Sequence, residues 1–317
     1  MGRADTYSQP EAPDPVLPDA LVLELARAHL PESIRVEEVV EVDESGGEAR
    51  AYLLGGGVVV KTQRPHRLRP RTGLAKEAAI LAALSGPLFG RIPVVFGYEQ
   101  ADTDAGPVEL IVMSRLAGAA LRTKQSVDMV KAEVLHEVAT VLRAVHALYP
   151  TDLPNAGLLP TDGDAADLRH RLELSLGDLV DHFEARPGSW PLHVSPGQVV
   201  SAALDALPAR LSSVPVVLHS NPGPTHVFVG EDGAFTGLID FGDAYASHPA
   251  LDLRSWPDPS DRVLLREAYL AGRAPDAEFD AVWTVAMLQA DMNAIATQPS
   301  EVAGLAGADL TARLHRL

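Results

Sequence analysis

Residues 216–244 read VVLHSNPGPTHVFVGEDGAFTGLIDFGDA, and this stretch decides the fold. Val216-Val217-Leu218 is a short apolar run that ends in His219-Ser220-Asn221. The Pro/Gly-rich loop Pro222-Gly223-Pro224 leads on to His226, five residues after Asn221. Gly237-Leu238-Ile239 is a second strand pattern. Asp240 follows it directly, so its carboxylate projects at a strand end, 19 residues after Asn221.

Composition sets the outer limits. A chain of 317 residues with 46% hydrophobic content can bury a core and build two domains or one two-lobed unit. No apolar run reaches the roughly 18 residues a membrane helix needs, so no membrane partner is expected. The start, MGRADTYSQPEAPDPVLPDA, has neither a basic end nor an apolar stretch, and reads as a loose arm rather than a signal peptide. A cytoplasmic location is expected. The absence of cysteine excludes disulfides, thiolate nucleophiles and zinc–thiolate sites. A formal charge of −17 argues against nucleic acid, whose phosphates need a basic face, and suits a cationic small molecule. Of 26 basic residues only four are lysines, so each lysine raises a question.

The N-terminal third reads as a small antiparallel sheet carrying one helix. Residues 20–30 have helical spacing. Residues 36–63 hold three β-branched clusters, broken at Ser45-Gly46-Gly47 and Gly55-Gly56-Gly57, and the last strand ends near Lys61. Residues 72–85 are helical, and 92–98 and 108–113 are strands. Beyond Gly118 the pattern turns helical, at 125–148, 165–185, 196–212, 260–271 and 277–297. The expected organisation is a loose arm at 1–18, a β-rich lobe at 19–113, a hinge at 114–118, and a helical lobe at 119–317.

Transfer of a phosphoryl group from a nucleotide needs a cation on the phosphates, metal ions bridging them, a group that orients the acceptor hydroxyl, and a hinge for the base. Val58-Val59-Val60-Lys61 supplies a lysine on a strand. Glu77, 16 residues on and helical, is placed to pair with it. The Asp240-Phe241-Gly242 turn is weak evidence alone and strong evidence in order after His219, Asn221, His226 and an upstream lysine.

With these residues the chain resembles the aminoglycoside phosphotransferase family of the protein-kinase-like fold. That family's loop reads roughly H-G-D-x-x-x-x-N, followed by G-x-I-D-F/W-G-D and D-P-A-x-D-L-A. The matching stretches here are His219-Ser220-Asn221 with His226, Gly237 to Asp243, and His248-Pro249-Ala250-Leu251-Asp252-Leu253. The resemblance implies an α+β, two-lobed fold with a small antiparallel N-lobe and a larger helical C-lobe. It implies ATP or GTP with Mg2+, and a hydroxyl on a small molecule as acceptor. Carried over residue by residue, Lys61 contacts the phosphates and Glu77 holds Lys61. Met113, Ser114 and Leu116 form the hinge. Asp240 binds magnesium together with His226, which stands at the family's asparagine. His219 and Asp252 support the loop.

Asn221 departs from the pattern, since it occupies the catalytic aspartate position and an amide has no useful basicity. A slow transferase and a silent nucleotide-binding module both follow from that. A metal-dependent hydrolase built on His219, His226 and Asp240 is disfavoured, because the histidines are seven residues apart on a Pro/Gly-rich loop. On the acceptor side, Asp162, Asp164, Asp167, Glu173, Asp178, Asp181, Glu184, Asp258, Asp261 and Glu267 are expected to line an acidic wall. Trp190 and Trp256 are expected near the cleft.

Overall fold

The structure is a computed structural model and describes residues 7–316 apart from 104, 105, 124–127, 155 and 187. Its first part is helix α1 (Asp19–His29), strands β1 (Val39–Asp43), β2 (Ala49–Leu54) and β3 (Val58–Gln63), helix α2 (Leu74–Leu84), and strands β4 (Val95–Thr103) and β5 (Gly106–Ser114). The strands form one antiparallel sheet in the order β1-β2-β3-β5-β4. Gly56 makes the β2–β3 turn possible. Its φ is 74°, and a Cβ there would lie 2.7 Å from the Arg35 carbonyl oxygen.

The two-residue period of β3 sorts the sheet faces. Val58 and Val60 point to one side, where Tyr52, Leu54, Leu110 and Val112 pack under Val22 and Ala26 of α1. Val59 points to the other, against Ile111 and the Leu74, Ala78 and Leu81 face of α2. Lys61 shares the face of Val59, so the strand that carries the lysine also aims it at α2.

After β5 the chain crosses through residues 115–118 into β6 (Ala119–Ala120). Gly118 has φ 85°, and a Cβ on it would strike the Val229 carbonyl at 2.0 Å. Helices α3 (Asp128–Val145), α4 (Ala165–Glu184), α5 (Pro196–Asp205), α6 (Pro259–Leu270), α7 (Ala277–Thr297) and α8 (Ser300–Leu314) build the larger part. Strands β7 (Val216–Leu218), β8 (Val227–Val229), β9 (Phe235–Leu238) and β10 (Tyr245–Ser247) form two small sheets, β10-β7 and β6-β8-β9, that carry the loops of the opening stretch. Helix α7 buries Phe279, Val282, Trp283, Val285, Met287 and Leu288, so it is apolar nearly all round and central to the core.

Several expectations need correction. The arm is docked from Ser8 onward, not loose. The Ser8 N–H donates to the Leu68 carbonyl at 2.8 Å, Leu17 is buried, and buried Arg50 draws in the Pro15 carbonyl at 2.6 Å and Asp14 at 3.2 Å. A guanidinium buried in β2 needs acceptors, and the arm supplies them. Strand β4 begins at Val95, not at 92. Helix α5 ends at Asp205, not at 212, because Pro208 disfavours helical backbone at Leu207. Helix α8 was not expected, since its glycines blur the helical period. The first residues of the helix expected at 125–148 lie outside the described residues.

Candidate active site

Asp252 organises the loop between β7 and β8. Its carboxylate is fully buried and accepts the N–H groups of His219 at 2.7 Å and Ser220 at 2.8 Å. It also accepts from Nε2 of His146 at 3.0 Å, whose Nδ1 meets the Tyr269 hydroxyl at 2.9 Å. Burial alone would raise the Asp252 pKa; the His146 contact and the nearby His219 outweigh it and hold the group below the ordinary value. His219 is buried as well. The Ile239 carbonyl can only accept, so Nε2–H of His219 donates to it at 2.9 Å, and Nδ1 accepts the Asn221 N–H at 3.3 Å. Burial pushes the His219 pKa down to about 4, which fits a neutral ring in both roles.

The cost of this loop shape shows at Ser220, whose φ of 83° lies in the left-handed region. Asp240 is similar, with φ 72°. Two non-glycine residues in this region within one site mark backbone held by its surroundings.

Lys61, Glu77 and Asp240 meet. The Lys61 ammonium lies 2.7 Å from Oε2 of Glu77 and 2.6 Å from Oδ1 of Asp240. Glu77 is reached because the start of α2 docks on the Asp240–Gly242 turn, with the Gly73 N–H donating to the Gly242 carbonyl at 3.1 Å. Desolvation would discharge Lys61, but the two carboxylates prevail and hold its pKa above the ordinary value. Desolvation likewise raises Asp240, while Lys61 first and His226 second pull it well below the carboxylate range. One ammonium between two carboxylates leaves a net negative charge, a ready place for further cations.

His226 completes this side. Its Nδ1–H donates to the Asn221 carbonyl at 2.8 Å, which turns Nε2 toward Oδ2 of Asp240 at 3.2 Å. Among the described residues no three His, Asp or Glu side chains form a metal cage. Magnesium, however, takes one or two carboxylates and fills its shell with water and phosphate oxygens. Asp240 supplies such a carboxylate; the His226 imidazole beside it is a softer donor than magnesium prefers.

The Asn221 side chain is exposed at the loop tip, and only its backbone is tied down. Among the described residues, the other carboxylates of the motif are engaged elsewhere, Asp240 with Lys61 and Asp252 with the loop N–H groups. Asp243 is held by Arg69 at 2.7 Å and by the Thr72 hydroxyl at 2.5 Å. The hinge residues divide. Met113 is buried in the core. The Ser114 hydroxyl accepts the Val94 N–H at 2.8 Å, so it turns to the β4 side.

The carboxylates expected to line an acidic wall divide among ion pairs, helix caps and an exposed helix face. Asp162 pairs with Arg171 at 2.6 Å and Asp261 with Lys131 at 2.7 Å. Asp164 and Asp258 cap α4 and α6, and Asp167 accepts the Gly163 N–H. Glu173, Asp178, Asp181 and Glu184 lie on the exposed face of α4. Trp256 is buried, and its indole N–H donates to the Pro222 carbonyl at 3.0 Å, bracing the loop from beneath. Trp190 packs on Phe183 of α4, edge to face at 4.7 Å. Sequence reasoning missed His146, Arg69 and Thr72, which carry no motif. It also left Lys76 unexamined, although the scarcity of lysine marked it.

Residues 39–287 match the model of the phosphotransferase enzyme family. No curated protein sequence matches the chain. Among solved structures it is similar to wild-type aminoglycoside 2′-phosphotransferase-IIIa in its GDP complex, at 17% identity and TM-score 0.59, covering 95% of this chain and 100% of that one. It is similar to APH(2″)-IIa in a ternary complex with streptomycin and ATP, at 16% identity and TM-score 0.54, covering 86% and 91%. It is also similar to macrolide 2′-phosphotransferase MphH from Brachybacterium faecium, at 20% identity and TM-score 0.50, covering 92% and 97%. At these identities the shared property is the kinase-like fold. The family model spans well over half of the sequence, and the chain belongs to the phosphotransferase enzyme family.

Proposed function

We propose that the chain transfers the γ-phosphate of ATP or GTP to a hydroxyl of a small molecule, with Asn221 orienting the acceptor in place of a general base. The observation that carries this reading is the Lys61 ammonium bridging Glu77 and Asp240 across the cleft. Such a cation is positioned for nucleotide phosphates, and Glu77 keeps it charged and aimed. The neighbours in complex with GDP and with ATP support the nucleotide.

Asp240 and His226 are the residues that would hold magnesium, which when bound neutralises charge on the bridging phosphate oxygens. The chain's own work is positional. Lys61 holds the phosphates, and the loop fixed by Asp252 presents residue 221 to the acceptor. The Asn221 amide can accept a hydrogen bond from the acceptor hydroxyl through Oδ1 but cannot take its proton. The acceptor oxygen attacks phosphorus, the bond to the nucleoside diphosphate breaks, and the hydroxyl proton leaves late to a phosphoryl oxygen or to water. General-base catalysis is worth about 10²–10⁴-fold, so its loss slows this reaction without forbidding it.

A second reading follows from the same residue: a nucleotide-binding module that no longer transfers phosphate. The two separate in one experiment. Phosphoryl transfer from ATP and GTP, with magnesium, is measured to a panel of aminoglycosides, macrolides and other hydroxylated molecules, for this chain beside Asn221→Asp. Product from both proteins, faster with Asn221→Asp, supports the transferase. Nucleotide binding with no product from either supports the module.

A further inference from the structure

Three guanidiniums from three separate segments meet at one ring beside the metal turn. Arg171 of α4 lies over Tyr245 with its guanidinium carbon 4.2 Å from the ring centroid. Arg71, from the β3–α2 connection, lies 5.3 Å from the same centroid. Nη2 of Arg254 reaches the Tyr245 hydroxyl at 3.4 Å. One cation over a tyrosine face is an ordinary contact. Three around one fully buried ring repel each other unless anions lie between them.

The neighbouring carboxylates bond to other cations, and Arg69 is shared between Asp243 and Glu48, so Asp243 offsets part of the charge on Arg71 and Lys76 without contacting Arg71. Asp162 is paired with Arg171, and Asp243 with Arg69. Among the described residues no ion pair joins a carboxylate to Arg71 or Arg254. Beneath them the buried Lys76 ammonium has only carbonyl partners, those of Arg71 and Ala244. This surplus of positive charge stands in a chain whose formal charge is −17. Arg71 is exposed as a residue, yet desolvation of its head, and then Arg171 beside it, push its pKa below the ordinary value.

The place is functional ground. Tyr245 pairs in β10-β7 with Leu218, the residue before His219. Arg254 precedes Ser255, whose carbonyl would lie 2.5 Å from a Cβ on Gly223, two residues past Asn221. Arg71 also lines a cleft of about 530 Å³ together with Thr72, Lys76 and Pro160.

We infer that Arg71 and Arg254, with Arg171 flanking them on Tyr245, form an oxyanion site next to the catalytic loop that takes a phosphate or carboxylate group. The group is either a substituent of the acceptor molecule or a free anion. The site stands on its own geometry, and only its assignment to the acceptor rests on the phosphotransfer reading.

The test is a titration of the full chain with inorganic phosphate at constant ionic strength, read by the thermal midpoint against a chloride control. Arg71→Gln is the first variant, because an exposed side chain without an ion pair can change without unfolding the protein. Arg254→Gln is the second, and Lys61→Met reports phosphate held at the nucleotide side. The expected result is phosphate affinity about tenfold weaker in Arg71→Gln and in Arg254→Gln, and unchanged in Lys61→Met. No stabilisation of the unaltered chain overturns the inference. So does affinity that survives in both arginine variants, or that is lost only in Lys61→Met.

A second arm locates the source. Neutral alcohols and their phosphate or carboxylate derivatives are compared as acceptors. A lower KM for the anionic member, raised by Arg71→Gln with kcat held, assigns the anion to the acceptor. Equal KM values with phosphate still bound assign it to a free anion. A protein that binds phosphate through Arg71 and transfers nothing keeps the site and loses the transferase reading.

Discussion

The two sides of the cleft differ in how fully they are tied. On the β3 side Lys61, Glu77, Asp240 and His226 form a continuous chain of contacts from β3 through α2 to the Asp240–Gly242 turn. On the β7–β8 side the loop backbone is held just as firmly, by Asp252, His219 and Trp256, but the side chain at its tip is an exposed amide. Loop shape and proton handling are therefore separate properties. Asp252 and His219 bond to backbone groups, and those bonds form whatever side chain stands at 221.

The comparison breaks most visibly if the loop scaffold is removed. In Asp252→Ala the N–H groups of His219 and Ser220 and the ring of His146 lose their acceptor in a buried place. The expected loss is about 3–5 kcal/mol of stability, read from urea unfolding. A loss below about 1 kcal/mol would mean that the loop is held elsewhere.

Acidification probes the same buried ground. His219 and His248 are both pushed down to about 4 by burial, against 6.5 in the unfolded chain. The unfolded state then binds more protons below pH 6.5. Stability is full above that value and falls as pH drops toward 4. Between pH 7.5 and 5.5 the two together cost about 2–3 kcal/mol, measured as a shift of the urea midpoint. His248→Gln should remove about half of that slope, leaving the part that belongs to the loop.

The smallest effect sharpens the picture of strain. Ser220 sits at φ 83°, a backbone region that costs an ordinary residue about 1–2 kcal/mol and glycine almost nothing. Ser220→Gly should gain about 0.5–1 kcal/mol after the greater freedom of glycine in the unfolded chain is subtracted. Unchanged or lower stability would show that the serine hydroxyl contributes to the loop.

The fold was legible where local pattern and tertiary outcome agree. The glycine-broken strands at 36–63 and the helix at 277–297 were read correctly, because turn chemistry and burial act within a few residues of sequence. The α5 end was missed because one proline outweighed an apolar run. Helix α8 was missed because its small residues pack without a strong period. At the site, the residues on motif spacing could be named in advance and are brought together. The acidic wall could not be judged, since a carboxylate that caps α4 and one that faces a cleft look alike in sequence. The arginine cluster was invisible for the same reason: Arg71, Arg171 and Arg254 lie far apart along the chain and meet only at Tyr245.

The most direct test of the central claim compares this chain with Asn221→Asp in two quantities at once, nucleotide Kd and kcat for phosphoryl transfer. The expected result is an unchanged Kd for ATP or GTP, because Lys61, Glu77 and Asp240 are untouched, and a kcat raised about 10²–10⁴-fold. An unchanged kcat, or a change confined to Kd, would contradict it: position 221 would then not be the missing base, and the two sides of the cleft would not be independent.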